Sequence, residues 1–252
     1  MNLLTYVMHL AGSGAIAYYS AAQIRDPKTR PNVLAGFQLA ESGSVPFLQT
    51  LSDRAAAEGD TWLAEKLAKH AEDEKRHGQI FAHALKQLDK KVIDFKSSKE
   101  TTKETTKESK SQEGRSPFFA AYFKGYSPEQ LKPAVTAWDV FMPSTYILEL
   151  DASKDFARMA NVLPESDPTA RNLKLGMLNI AKDETGHAAY LYEAMMRRMS
   201  ATQVQKLVDE WRTRKVDALM AFASNMLQSK NNNASLVQDA APSESDSELM
   251  AA

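Results

Sequence analysis

The chain has 252 residues, enough for one sizeable domain with a real core, and 43% hydrophobic and 25% charged residues give it a formal net charge of −1. A charge so balanced provides no whole-surface attraction for nucleic acid or an anionic membrane. Cysteine is absent, which excludes disulfides, thiolate metal sites and a cysteine nucleophile, and fits a reducing cytoplasm.

The first 24 residues carry no charged side chain. They lack the basic start of a signal peptide. His9, Ser13, Ser20, two glycines and several alanines dilute the apolar run that a spanning helix needs. The reading is an N-terminal helix packed on the domain, without membrane association. A first long helix starts after Arg30-Pro31, with proline suited to the first turn, and runs into the fifties. Gly59-Asp60 ends it, and Asp60 can cap a second helix over 61–91. Leu63, Leu67, His70, Glu74, His77, Phe81 and Leu85 recur at three- and four-residue spacing and so share one face of it.

Residues 96–116, KSSKETTKETTKESKSQEGRS, contain no large apolar side chain and read as a mobile linker, since they cannot bury enough surface to offset ordering. Structure resumes at Pro117 with Phe118, Phe119, Tyr122, Phe123 and Tyr126. A helical region over 128–160 follows, broken or kinked at Pro143. Asp167-Pro168 begins a helix reaching Arg198, and Ser200-x-x-Gln203 is a capping box for a last helix ending near Leu227. Alternating strand pattern is missing throughout, so the expected fold is all-α. One helical domain spans 1–230, and 231–252 reads as a disordered tail.

The chemistry-bearing pattern occurs twice. Residues 71–81 read AEDEKRHGQIF and residues 181–191 read AKDETGHAAYL. Residues three apart on a helix lie on the same side, so Glu74 with His77, and Glu184 with His187, can each address one metal ion. A dinuclear site also needs a carboxylate from each of two further helices. Glu41 and Glu149 qualify, and the spacings agree, with 33 residues from Glu41 to Glu74 and 35 from Glu149 to Glu184. Four carboxylates and two imidazoles give the oxygen-rich coordination that suits two iron ions or a manganese–iron pair.

Glu41, Glu74-x-x-His77, Glu149 and Glu184-x-x-His187 together resemble the ferritin-like di-iron carboxylate superfamily. Bacterioferritin, rubrerythrin-like proteins, acyl-carrier-protein desaturases, bacterial multicomponent monooxygenases and aldehyde-deformylating oxygenase belong to it. The resemblance covers about residues 32–198 and implies a ferritin-like four-helix bundle with additional N- and C-terminal helices. It also implies that Glu41 and His77 serve one iron, that Glu149 and His187 serve the other, and that Glu74 and Glu184 bridge. Metal-binding imidazoles usually donate their other N–H to a carboxylate, so Asp73 and Asp183 are expected to reach across to the histidine of the opposite motif. His70, one turn before Glu74, is expected behind the ligands.

Pro46, five residues past Glu41 and beside Ser42, Gly43 and Ser44, can open a cavity at the metals. Helical spacing from the ligands nominates Phe37, Phe81, Thr145, Tyr146 and Tyr190 as its lining or as redox-active neighbours. The expected activity is O2-dependent oxidation of a small apolar molecule or acyl chain, with electrons from a ferredoxin or reductase, in the cytoplasm, by a possible homodimer. The competing readings are a ferroxidase or rubrerythrin-like peroxide scavenger, and a tRNA-modifying hydroxylase using basic residues within QKLVDEWRTRK at 205–215.

Overall fold

A computed structural model describes residues 3–93, 116–228 and 235–240. Seven helices and two short strands occur among them: α1 (Leu3–Arg25), α2 (Arg30–Ala57), α3 (Thr61–Lys86), β1 (Lys90–Val92), α4 (Pro117–Tyr122), α5 (Trp138–Asn161), α6 (Pro168–Arg198), α7 (Ala201–Gln228) and β2 (Val237–Asp239). The expected linker lies outside the described residues except for Ser116. That residue instead caps α4, its Oγ accepting a hydrogen bond from the Phe119 amide at 3.3 Å. No described helix is long and apolar enough to cross a membrane.

The helix boundaries follow local chemistry. Gly59 adopts φ +83°, and the Gly59 and Asp60 amides close back on Ala56 and Ala55 at 3.0 and 2.9 Å. This pair of bonds satisfies the last carbonyls of α2 and needs a left-handed residue between the helices. Asp60 then accepts from the Leu63 amide at 3.0 Å and starts α3. Gly59→Ala should therefore destabilise the fold by about 1 kcal/mol, read as a lowered midpoint in denaturant with unchanged slope. At the other junction Asp167 accepts from the Thr169 amide at 3.0 Å. Ser200 and Gln203 exchange bonds, Ser200 N–H to Gln203 Oε1 at 3.0 Å and Gln203 N–H to Ser200 Oγ at 3.3 Å. Pro46 and Pro143 lie inside α2 and α5, and neither breaks its helix.

Three expectations change. The helix expected to reach residue 91 stops at Lys86, because Asp89 turns the chain through φ +54° and frees Lys90–Val92 to pair with β2. The strands are antiparallel with Lys90 opposite Asp239, Lys91 opposite Gln238 and Val92 opposite Val237. Residues 235–240 are consequently ordered where a tail was expected. Leu236 donates its amide to Asn32 Oδ1 at 2.6 Å, and Leu236 and Val237 pack against a core cluster. Finally, α5 begins at Trp138 rather than near 128. Pro133 interrupts the preceding segment, and Arg54 Nη1 donates to the Pro133 and Thr136 carbonyls at 2.8 and 2.9 Å.

The helices pack as two hairpins, α2 with α3 and α5 with α6, which meet along α3 and α6. Within the first hairpin Ser52 bonds the carbonyl of Ala64 and Ser44 approaches Glu74, so the partners run antiparallel. Two apolar clusters fill the interior. Leu48, Leu51, Leu63, Leu67, Phe141 and Leu191 belong to one, and Leu34, Phe81, Leu85, Phe156, Met177 and Ile180 to the other. Each of the four helices thus contributes to both clusters, and its polar residues fall between. α1 packs on α2, α5 and α7, while α7 holds α4 in place. Trp211 of α7 is buried against Tyr122 at 5.1 Å, and Tyr122 donates its hydroxyl to the Ser144 carbonyl at 2.9 Å.

Candidate metal centre

Between the two apolar clusters lies a group of charged side chains that no ordinary core would tolerate. Glu41, His70, Asp73, Glu74, His77, Glu184 and His187 are all buried, and the Glu149 side chain is only 14% exposed. They come from α2, α3, α5 and α6 at one level of the hairpins. Two sets have ligand atoms within 4.8 Å of one another: Glu41, Glu74, His77 and Glu184, and His70, Glu74, Glu149 and His187. Glu74 belongs to both. Glu184 also spans the pair, with Oε1 3.4 Å from His77 Nδ1 and Oε2 3.3 Å from His187 Nδ1.

His77 Nδ1 marks the point on which the first set converges. It is buried and, among the described residues, makes no hydrogen bond. Yet it faces Glu41 Oε2 and Glu184 Oε1 at 3.4 Å each and Glu74 Oε1 at 3.9 Å. A neutral imidazole nitrogen converging with three carboxylates on one point is the donor set a cation needs, and leaving such an atom buried and unpaired is costly. The residues therefore fit a metal ion. The nitrogens on the far side of the rings are held from behind. His77 Nε2 lies 3.2 Å from Asp183 Oδ2, and His187 Nε2 lies 3.4 Å from Asp73 Oδ2, each aspartate belonging to the opposite hairpin. Arg76 donates to Asp73 at 2.8 Å and to Asp183 at 2.6 Å, so one guanidinium ties both aspartates together.

His70 departs from its expected place. Its Nε2 lies 3.0 Å from Glu74 Oε1 and 3.5 Å from Glu149 Oε1, inside the second set of ligand atoms rather than behind it. Its Nδ1 is 2.8 Å from the Tyr190 hydroxyl, a pairing that directs Nε2 toward the carboxylates. The His70 and His187 rings stack at 3.6 Å. Burial and the neighbouring His187 oppose a charge on His70, but bonds to Glu149 and Glu74 outweigh them and hold its pKa above the usual imidazole value.

The electrostatics follow from burying four carboxylates together. Burial, and then the Glu74 carboxyl beside it, pushes Glu41 well above the usual carboxylate range. Burial and the nearby Glu149 charge raise Glu184. Burial opposes the negative charge on Glu149, but bonds to Glu184, His187 and His70 outweigh it and hold its pKa down. Burial likewise opposes charge on the imidazoles. Glu184 and Glu41 nonetheless push His77 up to about 10, and Glu149 and Glu184 push His187 up to about 11. Protons and metal ions thus compete for the same nitrogen atoms. Near neutral pH, metal loading should therefore release protons, from these two rings among others, and affinity should climb as pH rises from 6 toward 10. Calorimetry in buffers of different ionisation enthalpy measures the release, and a pH-independent affinity would contradict it.

A cleft of about 600 Å³ opens on His70, Glu74 and Glu149. Gly43 and Ser44, beside Pro46, line it, as does Thr145. The other nominated residues sit elsewhere. Phe37 and Phe81 pack together with Phe156 in the second apolar cluster, with ring centroids 5.2–5.9 Å apart. Tyr146 meets Tyr192 at 5.6 Å, and Tyr190 is buried against His70. The aromatic lining comes instead from Phe47, Phe119, Phe123 and Phe141. Phe119 and Phe123 belong to the aromatic run after Pro117, whose four-residue spacing was the available signal.

The fold and site define an all-helical protein with a buried histidine–glutamate cluster able to hold metal ions. No protein-family model, curated protein or solved structure matches this chain.

Proposed function

We propose that the chain is a non-haem di-iron oxygenase or oxidase, built as a ferritin-like four-helix bundle from α2, α3, α5 and α6 with α1 and α7 added. It would oxidise a small, largely apolar organic substrate by hydroxylation, desaturation or bond cleavage. The observation that carries this reading is the sharing of Glu74 by two four-residue ligand sets, His70, Glu74, Glu149, His187 and Glu41, Glu74, His77, Glu184. Four carboxylates with three imidazoles make a mixed oxygen and nitrogen donor set that suits two irons, or a manganese–iron pair. Two reduced iron ions would supply the electrons that activate O2.

The chain's own residues would do the rest. Asp183 and Asp73 hold the rings of His77 and His187 in a fixed tautomer, and Tyr190 does so for His70. The apolar walls of the cleft hold the substrate beside Glu149 and exclude water. Monooxygenation draws electrons from outside the substrate, so a ferredoxin or reductase partner is part of the proposal, as are a cytoplasmic setting and a homodimer.

The cleft favours this reading over a ferroxidase or peroxide scavenger, which has no need of an apolar chamber on the ligands. A tRNA-modifying role is disfavoured by the way residues 205–215 are used. Lys215 is buried on Asp151, and Arg214 lies over Tyr126 and Trp211 while bonding the Lys124 carbonyl. Anaerobic loading with Fe(II), followed by O2 and optical spectroscopy, tests the proposal. O2 uptake matched to the bound iron is expected. Turnover of far more iron than the ligands can hold would favour the ferroxidase, and no O2 uptake would sink both.

A further inference from the structure

The outer face of α1 takes no part in the site. This helix packs on α2, α5 and α7, and its buried residues are His9, Ala17 and Ile24. Three residues a heptad apart, Leu4, Ala11 and Tyr18, are exposed on the side turned away from them. Leu4 is 68% exposed and Tyr18 80%, and Leu3, Val7, Met8 and Leu10 are exposed beside them. The exposed parts of these six large side chains amount to roughly 700 Å², more than a monomer usually shows in one patch and close to what each partner buries in a standard interface.

The face is complementary to itself. No charged side chain precedes Arg25, so two copies laid together bring no like charges into contact. An antiparallel pair of α1 helices with its two-fold axis at Ala11 sets Leu4 against Tyr18, Val7 against Ala15 and Met8 against Gly14 of the second copy. Large side chains then meet small ones on both sides of the axis, the pattern by which facing layers interdigitate. A tyrosine and a leucine close each end.

The two glycines of α1 differ in a way that supports this pairing. A Cβ on Gly12 would lie 3.0 Å from Leu219 Cδ1 of α7, so packing within the chain accounts for that glycine. A Cβ on Gly14 would meet no atom within 4 Å, yet glycine weakens a helix. Close approach of a second helix carrying Met8 gives Gly14 a role. A lipid surface suits α1 less well, since helices that lie on membranes carry lysine and arginine along a polar face, and α1 has neither before Arg25, its last residue.

We infer that α1 is the interface of a homodimer, pairing antiparallel with α1 of a second copy of this chain about an axis at Ala11. The homodimer named above thereby gains a surface, one that does not depend on iron. Sedimentation equilibrium of the full chain should show a dimer. The chain has no cysteine, so single cysteines report proximity without background. Ala11→Cys should cross-link to itself under mild oxidation. Ala22→Cys should not, because helix rise sets the two copies of that residue about 33 Å apart, beyond the reach of a disulfide. Tyr18→Glu should weaken the dimer roughly 30-fold or more, with helical content and bound iron unchanged. Gly14→Leu should weaken it about tenfold by crowding Met8 of the second copy.

A parent protein that stays monomeric would overturn the inference, as would a failure of Ala11→Cys to cross-link. A dimer that survives both Tyr18→Glu and Gly14→Leu would place the interface elsewhere and overturn it too, while the homodimer stood. Cross-linking at residue 22 as readily as at residue 11 would overturn the antiparallel register. A monomer that floats with phosphatidylcholine vesicles would assign the face to lipid instead. Dimerisation as described in a protein that takes up no iron would contradict the proposed function and leave the interface standing. Iron binding by a monomer would overturn the interface alone.

Discussion

Glu74→Ala should weaken both metal sites together, whereas His77→Ala should weaken mainly one. The difference follows from geometry, since Glu74 lies in both four-residue sets and His77 in only one. Glu74 Oε1 is 3.0 Å from His70 Nε2, 3.6 Å from His187 Nδ1 and 3.9 Å from His77 Nδ1, so it stands at the junction of the two groups. Loss of a carboxylate that merely orients a ligand typically costs roughly 10–100-fold in affinity. Loss of a shared direct donor should exceed roughly 100-fold at each position. Anaerobic equilibrium dialysis at several iron concentrations resolves the two cases. Iron binding that is unchanged in Glu74→Ala would remove the shared carboxylate from the account.

The second large effect is on stability and lies beside the centre. Lys215 of α7 donates to Asp151 of α5 at 2.5 Å, and both residues are buried. His9 and Ser13 of α1 approach the same carboxylate oxygen at 3.7 and 3.5 Å. Three helices therefore converge on one ion pair two residues beyond Glu149. Removing one member of such a pair strands a charge in the interior, which costs about 3–5 kcal/mol. Lys215→Met should lower the melting temperature by about 6–20 °C for a domain of this size. Lys154, half exposed and 3.8 Å from Asp151, is too solvated to replace it.

The double variant Asp151→Leu/Lys215→Met should recover most of the loss, since no charge is then left unpaired. An unaltered melting temperature in the single variant would show that water reaches the carboxylate. The pH dependence has a definite sign. Burial raises the Asp151 pKa, but Lys215 outweighs it and holds the value below the usual one of 3.8. The contribution is therefore present above about pH 4 and disappears only as acid protonates the carboxylate.

What the sequence made legible was local. Asp60, Asp167 and the Ser200–Gln203 pair act through bonds spanning three residues or fewer, so their helix starts can be read directly. The duplicated Glu-x-x-His spacing likewise places donors on one face of a helix whatever the tertiary context. Features set by distant contacts were hidden. Nothing near Lys90 announces a strand, because its partner is Val237–Asp239, some 150 residues away. Leu236 and Val237 sit in a polar stretch whose composition outweighed two apolar side chains.

His70 illustrates the same limit inside the site. Helical spacing puts it on the face of Glu74 but does not say how far its ring reaches. That is decided by Tyr190 on α6, whose hydroxyl meets Nδ1. The cleft lining was misassigned for a related reason. Spacing from the ligands selects side chains above and below them on the same helices, and Phe37 and Phe81 filled the second core cluster instead. The lining that surrounds the cleft includes α4 and residues Leu131 and Thr136, whose approach depends on Tyr122, Trp211 and Arg54.

The central claim is that one chain holds a pair of metal ions in a shared cradle. It is tested most directly by counting Fe(II) bound per chain under anaerobic conditions, with magnetic spectroscopy of the loaded protein. The account predicts two irons per chain, magnetically coupled through shared carboxylates. A single iron, two uncoupled irons, or a protein that takes up none would contradict it.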